Sequence, residues 1–341
     1  MRQEKMIAAF VGLDYHDSVV QVCVMNAQGE ILLNHPYAND WRTIVDVAAR
    51  VAPGGRVYAA LEACTGAANL ADELVARAGW SVDLAHPGYV ARIKQGPDKH
   101  DWGDARLLAD LERIGYLPRV WLAPPALREL RRLARYRQQL VNEARNAKLR
   151  IRSLLREHRL RFPQRAWTRG WLTWLKNSNE VPEQSRWLID QHLANIERLH
   201  QAVKETEDRL ANFTAGDPLV ERLLQEPGIG PVTAWMIRAE IGRFDRFRSG
   251  KQLARFCAVS PRNASSGCRQ ADAGLIQAGN RQLRATLIEA AHRLARYHPR
   301  WSTLAAALRS RGKPGSVVAA ASANRWMRRL YHQMQPVARA A

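Results

Sequence analysis

Four carboxylates in this sequence stand where they could act together. Asp14 follows the apolar run from Ile7 to Leu13, Glu62 closes the run from Arg56 to Leu61, and Asp101 and Asp104 lie three residues apart at the start of a helical pattern. Acids three apart on a helix share one face. Clustered carboxylates are costly unless a cation neutralises them, and hard oxygen ligands suit Mg2+ or Mn2+. A pair of such ions roughly 4 Å apart can activate a nucleophile and stabilise the leaving oxygen of a phosphodiester. The competing assignments are helix capping for Asp101 and Asp104, a solvated strand end for Glu62 and a turn residue for Asp14. A second candidate is the loop Ser260-Pro261-Arg262-Asn263-Ala264-Ser265-Ser266-Gly267-Cys268-Arg269. A serine hydroxyl among Arg262, Arg269 and Arg281 would be placed to attack or bind a phosphate, although paired serines before glycine are also ordinary turn residues.

The elements that must position these groups follow from periodicity. The first apolar run has the near-continuous character of a central strand buried on both faces. Val19 to Met25 and Ile31 to Asn34 predict two further strands across a turn at Gln28-Gly29-Glu30, an antiparallel meander with no Gly-rich phosphate loop. A helix over Trp41 to Val51, the strand ending at Glu62, a helix over Ala67 to Ala78 stopped by Gly79, and a strand over Ser81 to Ala85 complete an α/β layer of ribonuclease-H-like order. From Pro124-Pro125 the chain becomes long helix. Ala134, Val141, Ala144, Ile151 and Leu155, and then Ile189, Leu193, Ile196, Val203 and Leu210, predict the seams of a coiled-coil hairpin arm. Trp167, Trp171, Trp174 and Trp187 lie at or near its connector, as core residues or as stacking platforms. Asp217-Pro218 opens a mainly helical last segment. There, Glu226-Pro227-Gly228-Ile229-Gly230-Pro231-Val232-Thr233-Ala234 fits a helix-hairpin-helix turn in which Gly228 and Gly230 let the backbone approach phosphate.

Charge narrows the partners. Lys and Arg total 52 against 32 Asp and Glu, a net charge of +20 that favours a polyanion. Between Arg119 and Arg169 there are 15 Lys or Arg and three acids, Glu129, Glu143 and Glu157. Cys23, Cys64, Cys257 and Cys268 form no C-x-x-C pair, so neither a zinc site nor a disulfide framework is expected. No apolar run reaches the roughly 18 residues of a membrane span, and a cytoplasmic, nucleoid-associated protein is expected.

Six motifs in order, Gly12-Leu13-Asp14, Leu61-Glu62, Lys99-x-Asp101-x-x-Asp104-Ala105, Pro227-Gly228-Ile229-Gly230-Pro231, Ser265-Ser266-Gly267 and Gly279-Asn280-Arg281-x-Leu283-Arg284, resemble the DEDD insertion-sequence transposases, the Piv-like recombinases guided by a bridge RNA. The resemblance covers essentially the whole chain. It implies a RuvC-like catalytic domain over 1–118, a basic coiled-coil arm over 119–215, and a transposase domain over 216–341. It implies Asp14, Glu62, Asp101 and Asp104 as the metal-binding tetrad, Ser265 as the nucleophile with Ser266 its neighbour, Mg2+ or Mn2+ as cofactor, and duplex DNA, a noncoding bridge RNA and a homo-oligomeric partner copy as partners. His100 stands where the family commonly has Thr, and Trp102-Gly103 is an unusual insert between the two acids. The rival readings are a RuvC-like nuclease that uses water, a non-catalytic nucleic-acid-binding protein, and an actin-like kinase. The missing adenosine motif and the strong positive charge argue against the last.

Overall fold

A computed structural model describes residues 7–94, 100–162, 165–267 and 272–340, and the chain divides into two units, residues 1–123 and 124–341. The first unit is built on a six-stranded mixed sheet. Its strands are β1 (Ile7–Tyr15), β2 (Val19–Met25), β3 (Ile31–Ala38), β4 (Arg56–Glu62), β5 (Ser81–Ala85) and β6 (Arg119–Val120), in the order β3-β2-β1-β4-β5-β6. The meander β1–β3 is antiparallel, β4 and β5 run parallel to β1, and β6 returns antiparallel to β5. This mixed order is compatible with a ribonuclease-H-like fold. Central β1 is closed on both faces, with Phe10, Val11 and Leu13 all buried.

Helices α1 (Trp41–Val51) and α2 (Ala67–Ala78) cover one face and share a core with Val11, Leu13, Val22 and Leu61. Gly79, at φ +66°, ends α2 in the left-handed conformation that glycine tolerates. A short helix α3 (Pro87–Ile93) precedes α4 (Asp101–Arg113), which covers the other face. Edge strand β3 is longer than expected because Pro36, which cannot donate to a ladder, is tolerated at an edge. β6 is held by Arg119, whose guanidinium bonds Glu112 at 2.9 Å and Asp83 at 2.7 Å. Burial pushes the Glu112 carboxyl up, and Arg119 opposes that shift.

In the second unit α5 (Pro125–Glu157) packs along α7 (Glu183–Phe213). The buried positions include Ala134, Ala144, Ile151, Leu155, Ile189, Ile196 and Leu210 from the expected seams. Leu140 rather than Val141 is buried at the contact, and Leu199 joins it with Val203 packed against the same cluster. Between them lies α6 (Arg169–Asn177), whose Trp171 and Leu175 are buried, with Trp167 and Trp174 packed against the same cluster. These three tryptophans therefore serve as core, whereas Trp187 is 59% exposed. The remainder comprises α8 (Pro218–Leu224), α9 (Pro231–Ile241), α10 (Gly250–Phe256), the hairpin β7 (Pro261–Asn263) and β8 (Asp272–Leu275), α11 (Arg281–Tyr297), α12 (Pro299–Ser310) and α13 (Gly315–Ala340). The β7–β8 pair is a short exception within the expected mainly helical segment. No described helix is long and apolar enough to cross a membrane.

Candidate functional site

One glycine decides how the acids meet. A Cβ at Gly12 would lie 1.9 Å from the Ala105 carbonyl oxygen and 2.5 Å from the Ala109 amide nitrogen. Only a missing side chain lets α4 rest backbone to backbone on β1, and that contact brings the first turn of α4 to the end of β1. The helix start is fixed a second way. Buried Gln21, the β2 partner of Asp14, donates to Asn34 at 2.7 Å, and Asn34 donates to the Trp102 carbonyl at 3.0 Å. The cap is His100, whose Nδ1 accepts from the Gly103 amide at 2.9 Å. A Cβ on Gly103 would press within 2.4 Å of that ring, which accounts for a glycine between the two acids. Because His100 caps α4, Asp101 and Asp104 are not its capping residues.

The chemistry collects at the end of β1. His16 Nε2 lies 3.6 Å from Asp14 Oδ2 and 3.5 Å from Asp101 Oδ2. One donor atom from each of Asp14, His16 and Asp101 lies within 4.8 Å of the others. The side chains of Asp14, His16 and Asp101 are 19%, 50% and 54% exposed, so the group opens to solvent. Glu62 arrives from the adjacent parallel strand: Leu13 pairs with Leu61, and each strand then delivers its acid. The Cys64 thiol, though exposed at the residue level, is raised by partial desolvation of its sulfur and, in smaller part, by Glu62, Asp14 and Asp17. Asp104 is engaged differently, by the Lys94 ammonium. Two carboxylates and an imidazole make a donor set that fits a divalent cation, and the nitrogen tilts it from Mg2+ toward a transition ion such as Mn2+. His16 is the residue that inspection of the sequence missed. Its signal was the spacing Asp14-x-His16, since residues two apart along extended chain project to one side.

The serine loop lies in the second unit. Ser265, Ser266 and Arg262 are exposed, and the Ser265 amide donates to Asn263 Oδ1 at 2.7 Å, an Asx turn that shapes the loop. Arg281 is the first residue of α11, capped by Asn280 through bonds of 2.8 and 3.1 Å from the amides of Gln282 and Leu283. Arg269 lies outside the described residues. Gly228 has φ +86°, a conformation that requires glycine, and Gly230 leads into α9. Cys257 and Cys23 are buried, and Cys64 is exposed; all three are free thiols.

Two family models match the chain. A DEDD transposase domain of the IS110 type, described as transposase, matches residues 11–159, and the model described as "Transposase IS116/IS110/IS902 family" matches residues 220–306. A probable family 20 transposase of Pseudomonas aeruginosa is 31% identical over 294 residues, covering 80% of this chain and 82% of that protein. The chain belongs to the IS110/IS116/IS902 transposase family. Other relatives of this transposase agree. The transposase for insertion sequence element IS1328 of Yersinia enterocolitica is 27% identical across 68% of this chain and 69% of its own. That for IS1111A of Coxiella burnetii is 24% identical across 84% and 78%. The first model spans all four acids of the transposase and His16, and the second spans Ser265.

Proposed function

We propose that this transposase cuts and rejoins DNA strands through a serine nucleophile assisted by divalent metal, Mg2+ or Mn2+. The observation that carries the reading is the approach of Asp14, His16 and Asp101, with Glu62 on the neighbouring strand end and Asp104 one turn along the same helix. Asp14, Glu62, Asp101 and Asp104 would hold the cation, with His16 as a further donor. When bound, such a cation supplies charge neutralisation at phosphate and favours loss of a hydroxyl proton. Ser265 Oγ attacks the phosphorus. One P–O bond forms to serine, one breaks to the sugar, and the departing sugar oxygen takes up a proton. The bond energy is retained, so a sugar hydroxyl can reverse the step on another strand. Arg262, Arg269 and Arg281 oppose phosphate charge, and Gly228 and Gly230 admit its backbone close to the protein.

The wider reading has three functional segments: a RuvC-like domain, a basic coiled-coil arm over α5–α7 that pairs protomers in a homo-oligomer, and a transposase domain with a helix-hairpin-helix turn. A noncoding bridge RNA selects the donor and target DNA at the nucleoid. The test of the chemistry uses end-labelled DNA and denaturing electrophoresis. Asp14→Asn, Glu62→Gln, Asp101→Asn and Asp104→Asn should each abolish cleavage while binding survives. Ser265→Ala should lose a covalent protein–DNA adduct that Ser266→Ala retains. Cleavage that persists in EDTA sinks the metal requirement. Normal strand exchange by Ser265→Ala returns the mechanism to hydrolysis by water.

A further inference from the structure

The C-terminal helix α13 has two unlike sides. Val318, Ala319, Ala323, Trp326, Met327, Leu330 and Met334 are buried, while Arg325, Arg328, Arg329 and His332 are exposed at the spacing of a single helix face. That basic face and α12, through Arg300 and Trp301, line an open cleft of about 810 Å3. No carboxylate lies among the lining residues, and none of the four arginines forms an ion pair with a carboxylate among the described residues. Other arginines of this unit are neutralised: Arg135 by Glu240 at 2.9 Å, Arg137 by Glu207 at 2.6 Å, and Arg238 by Asp217 at 2.6 Å. From Ala290 to Ala341 the sequence has ten Lys or Arg and no Asp or Glu. Guanidinium groups gathered without counter-charge repel one another, and a polyanion removes that cost.

We propose that this cleft binds the sugar–phosphate backbone of duplex DNA. The seven steps from Arg325 to His332 rise about 10 Å along α13, enough to follow about three phosphates at their axial spacing along one strand. Guanidinium groups suit phosphate because they donate in a planar fork. Sites for single strands use exposed aromatic platforms, and the lining of this cleft has no exposed Trp, Tyr or Phe, since Trp301 is only 3% exposed beneath the Arg300 guanidinium, 5.7 Å from its ring. The contact is therefore to backbone and independent of sequence. It rests on the DNA substrate of the family and not on the serine chemistry proposed above.

The experiment uses the full chain in EDTA, where binding is read without cleavage, and a fluorescent duplex of about 30 base pairs in two unrelated sequences. Replacing Arg325, Arg328 and Arg329 together by Gln should make the plot of log affinity against log salt shallower by about two to three, equally for both duplexes. The matching Lys triple should keep the wild-type slope, and the Ser265→Ala control should too, which separates failure of this site from failure of the nucleophile. Thermal unfolding of each variant checks folding, and the exposed positions should leave it unchanged. If the Gln triple unfolds, the comparison passes to Arg325→Gln and Arg329→Gln singly, each expected to lower the slope by about one. An unchanged slope in folded protein, a loss confined to one sequence, or a loss confined to RNA of matched length overturns the proposal.

Discussion

An imidazole between two carboxylates alters which cation a site prefers, and His16 stands 3.6 and 3.5 Å from Asp14 and Asp101. Nitrogen ligation gains more with Mn2+ than with Mg2+. His16→Ala is therefore expected to weaken Mn2+ binding on the order of tenfold and Mg2+ binding less, whereas Asp101→Asn weakens both. Electron paramagnetic resonance of free Mn2+, with Mg2+ as competitor, measures this directly, and an unchanged Mn2+ to Mg2+ ratio in His16→Ala would show that the ring does not reach the ion. The four acids were visible in the sequence because strand ends and a helix first turn carry local signatures. His16 was not, because its importance arises only when α4 docks and brings Asp101 across from 85 residues away. The capping role of His100 was likewise not singled out in the sequence. Its ring takes the capping position that Asp101 or Asp104 could have filled, and this leaves both carboxylates available for other work.

At the scale of elements, the contact of α4 with β1 is the most exposed to a single change. Gly12→Ala forces a methyl into the Ala105 carbonyl, and overpacking of this kind costs about 1–3 kcal/mol or more. The urea midpoint of the first unit's unfolding should fall, and cleavage should fall with it although all four acids remain. Wild-type stability in that variant would mean the helix can shift freely over the strand. Most elements here were legible. α1 and α2 run where the periodicity places them because each carries its own cap or stop: Asp40 before α1 and Gly79 after α2. The missed ones are short and depend on distant partners. β6 has two residues and exists because β5 and Arg119 hold it, and the β7–β8 pairing forms within a polar loop that has no alternation to detect. Along α5 the expected apolar line is off by one where Leu140 rather than Val141 is buried, as a 3.6-residue helix drifts against a seven-residue repeat.

For the whole molecule the governing quantity is a net charge of +20. Self-repulsion of that size opposes compaction, so the melting temperature should rise as salt is raised from about 50 to about 300 mM, and rise further with a short duplex that binds only folded protein. Scanning fluorimetry reads both; a melting temperature indifferent to salt and duplex would mean that the charge is already balanced internally. The density of arginine in the sequence pointed to the arm, and there structure adds what density conceals. Arg132, Arg135 and Arg137 have carboxylate partners, two of them from distant helices, while the less dense α13 keeps Arg325, Arg328 and Arg329 exposed. Linear charge counts cannot see partners supplied by folding.

The backbone seating of α4 on Gly12 has a bearing on how mobile elements age. Because the scaffold closes through main-chain contact, a gene copy that loses Asp14 or Asp101 should still encode a folded protein with its basic surfaces intact. Such a copy is expected to compete with its active siblings for DNA ends. Expressing Asp14→Asn beside the wild type should lower transposition in proportion to the ratio of the two, so that accumulated decay at these acids would restrain the element's own spread.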